Sequence, residues 1–115
     1  MEKVNLSQLT VVSEGGLAKR IGFSHPQVLV FVLTLTPGRE LPKHKHPGSS
    51  LMIHVVAGSG VVVVDGKETP VAAGDLLLVE GEEEFSARNT GLEALVLLAS
   101  LSPRPADPRY AQPVG

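Results

Sequence analysis

The sequence GRELPKHKHPGSSLMIHVVAGSG, which runs from Gly38 to Gly60, is the stretch that decides the fold. It places His44 and His46 two residues apart and follows them with an apolar segment that ends in glycines. Residues two apart on an extended strand point to the same side, so both imidazoles are predicted to face one surface together. Two neutral imidazoles suit zinc, copper, iron or nickel. The stretch therefore raises the question of a metal site and of the ligands that would complete it.

The chain outside this stretch is dominated by strand-like segments separated by turn residues. Eight segments rich in valine, leucine and isoleucine are predicted to be strands: Gln8–Val12, Val28–Thr36, Ser50–Ala57, Gly60–Asp65, Thr69–Ala73, Asp75–Glu80, Glu84–Asn89 and Glu93–Leu101. The Asp65-Gly66 pair predicts a β-hairpin, because both residues tolerate positive φ. Short strands at this spacing predict an all-β antiparallel sandwich or barrel.

Length and composition indicate one globular domain. The 115 residues are 43% apolar and 19% charged, which is typical of a soluble protein. A net charge of -2 argues against a nucleic-acid partner, and no apolar run reaches the length of a membrane span. The absence of cysteine excludes disulfides and thiolate ligands. The N-terminus lacks the apolar core of a signal peptide, so we expect a cytoplasmic location.

The glycines and histidines keep the spacing of two known motifs, G-x5-H-x-H-x3,4-E-x6-G and G-x5-P-x-G-x2-H-x3-N. The residues in frame are Gly38, His44, His46, Gly58, Gly74 and Asn89. In this the chain resembles the cupins over residues 37–101. The resemblance implies an antiparallel double-stranded β-helix, or jelly-roll barrel, that occupies residues 1–101, and it implies a dimer.

The motifs are incomplete at the positions that bind metal in the family. The resemblance implies four ligands: the two histidines and the glutamate of the first motif, and the histidine of the second. Here the glutamate position holds Leu51 and the last histidine position holds Phe85. Neither side chain offers a lone pair, so only His44 and His46 remain.

A third ligand would have to come from elsewhere in the chain. Glu40 is an even number of residues from both histidines, so on a continuous strand its side chain would point to the same side as theirs. Pro42, between Glu40 and His44, can break that strand. His54 lies three residues after Leu51, so on a regular strand the two side chains point to opposite faces of the sheet. A β-bulge would be needed to turn His54 inward. The run Glu82–Glu84 lies beside the lost histidine position and reads as a solvated turn.

Two functions remain open from the sequence. The favoured one is binding of a small molecule in a barrel pocket. His44 and His46, with Glu40 as a further candidate, would orient the ligand, and Leu51 and Phe85 would form apolar walls. The alternative is a metal-dependent cupin enzyme, similar to a dioxygenase or an isomerase, with a reduced site of two or three ligands. Its metal would be zinc, iron, manganese, nickel or copper.

Two further expectations concern assembly and the C-terminus. We expect a homodimer, because the strands before Pro37 and the outward residues Met52, His54 and Val56 offer an apolar sheet face that a monomer would expose. Residues 102–115 hold four of the nine prolines. Since proline cannot donate to a sheet ladder, this C-terminal tail is predicted to be extended and able to drape over a neighbour.

Overall fold

A computed structural model describes all residues, 1–115, and consists of two antiparallel β-sheets that face each other. The elements in chain order are α1 (Leu6–Leu9), β1 (Leu17–His25), β2 (Val28–Leu35), β3 (Ser50–Ala57), β4 (Ser59–Val64), β5 (Lys67–Ala72), β6 (Leu76–Glu80), β7 (Phe85–Asn89), β8 (Leu95–Ser102) and a 3₁₀ helix (Pro108–Ala111). The larger sheet has the order β1-β2-β8-β3-β6 and the smaller one β5-β4-β7. The prediction of an all-β antiparallel jelly-roll barrel is confirmed.

The alternation of side chains along each strand fills the space between the sheets. On β3, Leu51, Ile53 and Val55 are buried, whereas Met52 is exposed and His54 is half-buried. Seventeen buried apolar residues form one core in this way. Each fully buried aliphatic side chain stabilises the fold by roughly 1.5–3 kcal/mol relative to an exposed one.

The β4–β5 connection is the hairpin that the Asp65-Gly66 pair predicted. Both residues adopt positive φ, 49° and 81°, as the central positions of a tight hairpin turn require. The carboxylate of Asp65 accepts a hydrogen bond of 2.8 Å from the backbone N–H of Glu84. The hairpin is thereby tied to the start of β7.

The predicted strand at Gln8–Val12 is wrong, because part of this segment belongs to a short helix, α1. The side chain of Asn5 accepts from the N–H of Ser7 at 2.9 Å, and the side chain of Gln8 accepts from the N–H of Asn5 at 3.0 Å. This capping box satisfies backbone donors that would otherwise lack partners. No helix in the structure combines the length and the apolar character that crossing a membrane requires.

Strand β1 was not among the predicted strands. Its sequence, LAKRIGFSH, mixes charged residues with a glycine, and its pairing with β2 shifts register between Ile21 and Phe23. A β-bulge of this kind interrupts the strict alternation that sequence patterns depend on. The strand forms because β2 offers it a full ladder along Val28–Leu35.

The predicted extended conformation of the C-terminal tail is interrupted by the 3₁₀ helix at Pro108–Ala111, and the tail returns to the barrel. Val114 and Lys19 exchange two backbone hydrogen bonds, of 2.8 and 3.1 Å, along the free edge of β1. The guanidinium of Arg20 donates to the carbonyl oxygens of Val114 and Gly115, both at 2.8 Å. The tail therefore folds back on its own barrel and brings the 3₁₀ helix to the barrel mouth.

Candidate functional site

The segment between β2 and β3 carries the two motif histidines across the mouth of the barrel. His44 and Phe85 exchange backbone hydrogen bonds of 3.0 and 2.8 Å, and the N–H of His46 donates to the carbonyl of Gly81 at 2.9 Å. Both histidines are therefore fixed through their backbones to the loop and strand on the opposite side.

Gly81 allows this close approach because it has no side chain. A Cβ at that position would overlap the carbonyl oxygens of His46 and Ser49. Any larger residue would therefore push the His46 segment away from the barrel. Gly81 is a positioning residue that sequence reasoning missed, since it falls between two positions, Glu80 and Glu82, that depart from the family motif.

The two imidazoles form one edge-to-face pair. Their ring centroids are 4.6 Å apart with an interplanar angle of 88°. The Nδ1 atom of His44 lies 2.7 Å from the carbonyl oxygen of Pro42. A carbonyl only accepts, so Nδ1 of His44 donates this hydrogen bond, and in the uncharged form of the ring Nε2 keeps its lone pair.

His46 is the more buried histidine, with 5% of its surface exposed. Burial lowers its pKa from 6.5 to about 4, and the nearby charges of His44 and Lys19 act in the same direction. At neutral pH the ring of His46 is therefore uncharged. It can donate or accept a hydrogen bond, but it brings no charge to the site.

Both rings line a cavity of about 220 Å³ at the barrel mouth. Its apolar lining is formed by Leu17, Phe31, Leu33, Leu41, Tyr110 and Val114. Its polar lining consists of His44, His46 and Lys19. The ring of Tyr110, from the 3₁₀ helix of the tail, lies 5.6 Å from the ring of His46. A largely apolar pocket with a few convergent polar groups is the usual form of a small-molecule site.

The two apolar residues predicted to form pocket walls lie deeper than that. Leu51 and Phe85 are only 1% and 2% exposed and belong to the hydrophobic core, and neither lines the cavity. Phe85 still contacts the site, because its ring centroid is 5.8 Å from that of His44. Leu51 pairs with Val79 and Leu101 on the neighbouring strands.

The two candidate third ligands do not join the histidines. Glu40 is exposed and lines a different cavity, of about 430 Å³, together with Arg88 and Glu68. His54 is half-buried on the outward face of β3, where its pairing with Leu76 is regular and no bulge turns it inward. No group of three or more histidine, aspartate or glutamate side chains comes close enough to hold a metal ion, and the Glu82–Glu84 turn is no exception.

The residues present do not fit the complete metal site of the family. Structural zinc sites have four protein ligands and catalytic ones three, whereas this cavity offers two imidazoles. The ammonium of Lys19 lines the same cavity and would repel a cation. The arrangement can instead hydrogen bond a small molecule and surround its apolar part.

Lys19 and Tyr110 were not found by sequence reasoning. They meet at the cavity only because the tail pairs with β1, and no local pattern in the sequence indicates that pairing. The alternation of Leu17, Lys19 and Ile21 along a strand is the one local signal that could have placed Lys19 on the inner face.

Comparison with known proteins gives the same architecture. Residues 31–101 match the Cupin domain family. The oxalate-binding protein of Thermotoga maritima is 36% identical over 67 residues, which are 58% of this chain and 55% of that protein. This chain thus spans about half the length of that relative. A crystal structure from Thermus thermophilus is 28% identical, covers 91% of this chain and 100% of its own, and superimposes with a TM-score of 0.84.

A further solved structure, a predicted oxalate decarboxylase from Thermotoga maritima, is 30% identical with a TM-score of 0.71. The match covers 75% of this chain and 79% of that one. Since the family match extends over more than half of the sequence, the chain belongs to the cupin family.

Proposed function

We propose that this protein binds a small organic molecule in the cavity at the barrel mouth and that His44 and His46 orient it. The observation that carries this proposal is the cavity itself, of about 220 Å³, which places both imidazoles on a mainly apolar wall. Its volume is below the roughly 300–1,000 Å³ of pockets for drug-sized ligands, so the ligand is small. The name of the Thermotoga maritima relative, an oxalate-binding protein, makes oxalate the first ligand to test.

The second candidate function is that of a metal-dependent cupin enzyme. It is supported by the proximity of the imidazoles, 4.6 Å between ring centroids, and by the likeness to a predicted oxalate decarboxylase. His44 and His46 would then hold zinc, iron, manganese, nickel or copper. We favour the first function, because Leu51 and Phe85 stand where the family has its other two ligands and both are packed in the core.

Elemental analysis and thermal melting of untagged protein discriminate between the two functions. We expect no stoichiometric transition metal, and we expect the same melting temperature with and without a chelator. Oxalate should raise the melting temperature of the wild type, because a ligand that binds only the folded state stabilises it. It should not raise that of the His44→Ala and His46→Ala double variant. A stoichiometric metal whose removal lowers the melting temperature of the wild type would favour the enzyme instead.

We also propose that the protein forms a homodimer through the outward face of β3 and β6. Met52, Leu76 and Leu78 are 37%, 71% and 69% exposed there, and Met52 and Leu78 are paired across the two strands. A second copy fits because a sheet face that packs against the same face of another copy forms an interface that is self-complementary about a two-fold axis.

A further inference from the structure

Lys19 is the only lysine, arginine, aspartate or glutamate that lines the mouth cavity. Its ammonium lies 4.7 Å from the centre of the Phe31 ring and donates a hydrogen bond of 2.6 Å to the carbonyl oxygen of Tyr110. These two contacts hold the side chain at the cavity wall. Burial lowers the pKa of the ammonium, which reflects the cost of removing a positive charge from water.

No carboxylate in the chain neutralises this charge. The structure contains two salt bridges, Arg88–Glu68 and Arg109–Asp107, and Lys19 takes part in neither. Asp107 shares a neighbouring cavity with Lys19, but its carboxylate is held by the guanidinium of Arg109 at 2.6 Å. An ammonium has three donors and Tyr110 uses one of them. Lys19 therefore keeps unused donors and an unpaired charge.

We propose that Lys19 is the anchor for a carboxylate group, so that the cavity takes a small carboxylate anion without a metal ion. This inference rests on the proposed function and deepens it by naming the class of ligand and the residue that selects it. The ammonium donates a charge-assisted hydrogen bond to either a carboxylate or an amide oxygen, but only the carboxylate adds a Coulomb attraction between opposite charges. That attraction accounts for selection of an anion over a neutral ligand.

The rest of the cavity complements such a ligand. The uncharged ring of His46 can donate its N–H to a second carboxylate on the ligand. The Nε2 lone pair of His44 only accepts, so it suits a hydroxyl or amide donor. Leu33 and Leu41 offer apolar surface for its carbon skeleton. A dicarboxylate would contact Lys19 with one carboxylate and the N–H of His46 with the other. A short monocarboxylate would contact Lys19 and pack its carbon chain against Leu33 and Leu41.

The experiment is calorimetric titration of metal-depleted protein with oxalate, with butyrate and with oxamide, the neutral diamide of oxalate. The wild type should bind the carboxylates more tightly than the amide. Lys19→Met keeps most of the length of the side chain and removes its charge, and it should weaken carboxylate binding about 10- to 100-fold. Amide binding should change little. Lys45→Met is the matched control, because Lys45 is an exposed lysine of the same loop as the histidines, and it should bind like the wild type.

Lys19→Arg keeps the charge and should retain most of the carboxylate affinity. If Lys19→Met does not fold, the uncharged Lys19→Gln takes its place with the same expected loss. Equal carboxylate affinity in Lys19→Met and the wild type would overturn the anchor alone, and so would binding of oxamide as tightly as oxalate. A wild type that binds none of the three probes would overturn the anchor and the proposed function together.

Discussion

The rings of His46 and Tyr110 lie with their centroids 5.6 Å apart at an interplanar angle of 60°. The contact joins the loop of the first motif to the C-terminal 3₁₀ helix. The tail is held in place by the backbone pairing of Val114 with Lys19. The tail is thus a wall of the cavity, and it helps to keep His46 out of water.

Replacing the tyrosine ring should expose this histidine. In Tyr110→Ala we expect the pKa of His46 to rise from about 4 toward 6.5, because desolvation is the largest cause of its lowering. A proton NMR titration of the imidazole resonances measures this shift. Leu92→Ala, at an exposed position in the β7–β8 loop, is the control. An unchanged His46 pKa in Tyr110→Ala would show that the tail does not cover the ring.

The lowered pKa of His46 also predicts how stability depends on pH. The folded state resists protonation of this ring until about pH 4, whereas an unfolded chain protonates it near 6.5. The unfolded state therefore binds more protons between these values, so the contribution of His46 is fully present above pH 6.5 and is lost as the pH falls toward 4. Electrostatic interaction with His44 and Lys19 lowers the pKa of His46 in the same direction.

Urea unfolding measured from about pH 4 to pH 7 tests this dependence. His46→Gln should flatten the rise in unfolding free energy across the interval, whatever its effect on absolute stability. His25→Gln, a change at an exposed histidine at the end of β1, should keep the wild-type slope. If His46→Gln has the wild-type slope as well, the ring is not buried in its neutral form.

Restoring the family's ligands should create a metal site and destabilise the metal-free protein. Leu51→Glu with Phe85→His would supply the two missing donors, but both positions are almost completely buried. A carboxylate without a partner in the core is costly, so the chelated variant should melt well below the wild type. Zinc should recover much of the loss, because it binds only the folded state. Leu51→Glu alone should recover less, and equal recovery would mean that the two sites do not meet.

The dimer proposal predicts a mass near twice the 12.1 kDa of one chain in light scattering. Leu76→Lys with Leu78→Lys should shift the population to monomers, because two charges would be buried without partners at the interface. Leu92→Lys changes a leucine that is 97% exposed outside both sheets and should leave the mass unchanged. A 12.1 kDa species for the wild type at high concentration would contradict the dimer.

The sequence predicted the barrel better than it predicted the cavity. The physical reason is that turns and strands depend on residues close together in the chain, whereas the cavity wall depends on residues far apart in it. The hairpin at Asp65-Gly66 follows from two adjacent residues, and the strands β2 to β8 follow from short apolar runs. The helix α1 was missed because Asn5 and Gln8 cap it, and a capping box competes with the weak strand pattern of the residues beside it.

The composition of the cavity wall could not be predicted in the same way. Lys19 and Tyr110 come from opposite ends of the chain and meet through the pairing of Val114 with β1. The alternation of side chains along β3 predicted that Leu51 points into the barrel, but it did not predict how deeply the side chain is buried. It was expected on the cavity wall, but the side chain is 1% exposed and lies in the core that fills the space between the two sheets.

The most direct test is an NMR titration of metal-depleted protein with oxalate, in which the imidazole resonances of all four histidines are followed. Binding in the mouth cavity predicts that the resonances of His44 and His46 shift and saturate before any metal is added. Those of His25 and His54 should stay in place, since neither lines that cavity. Resonances of His44 and His46 that move only after zinc, iron or manganese is supplied would contradict metal-free binding and support the enzyme.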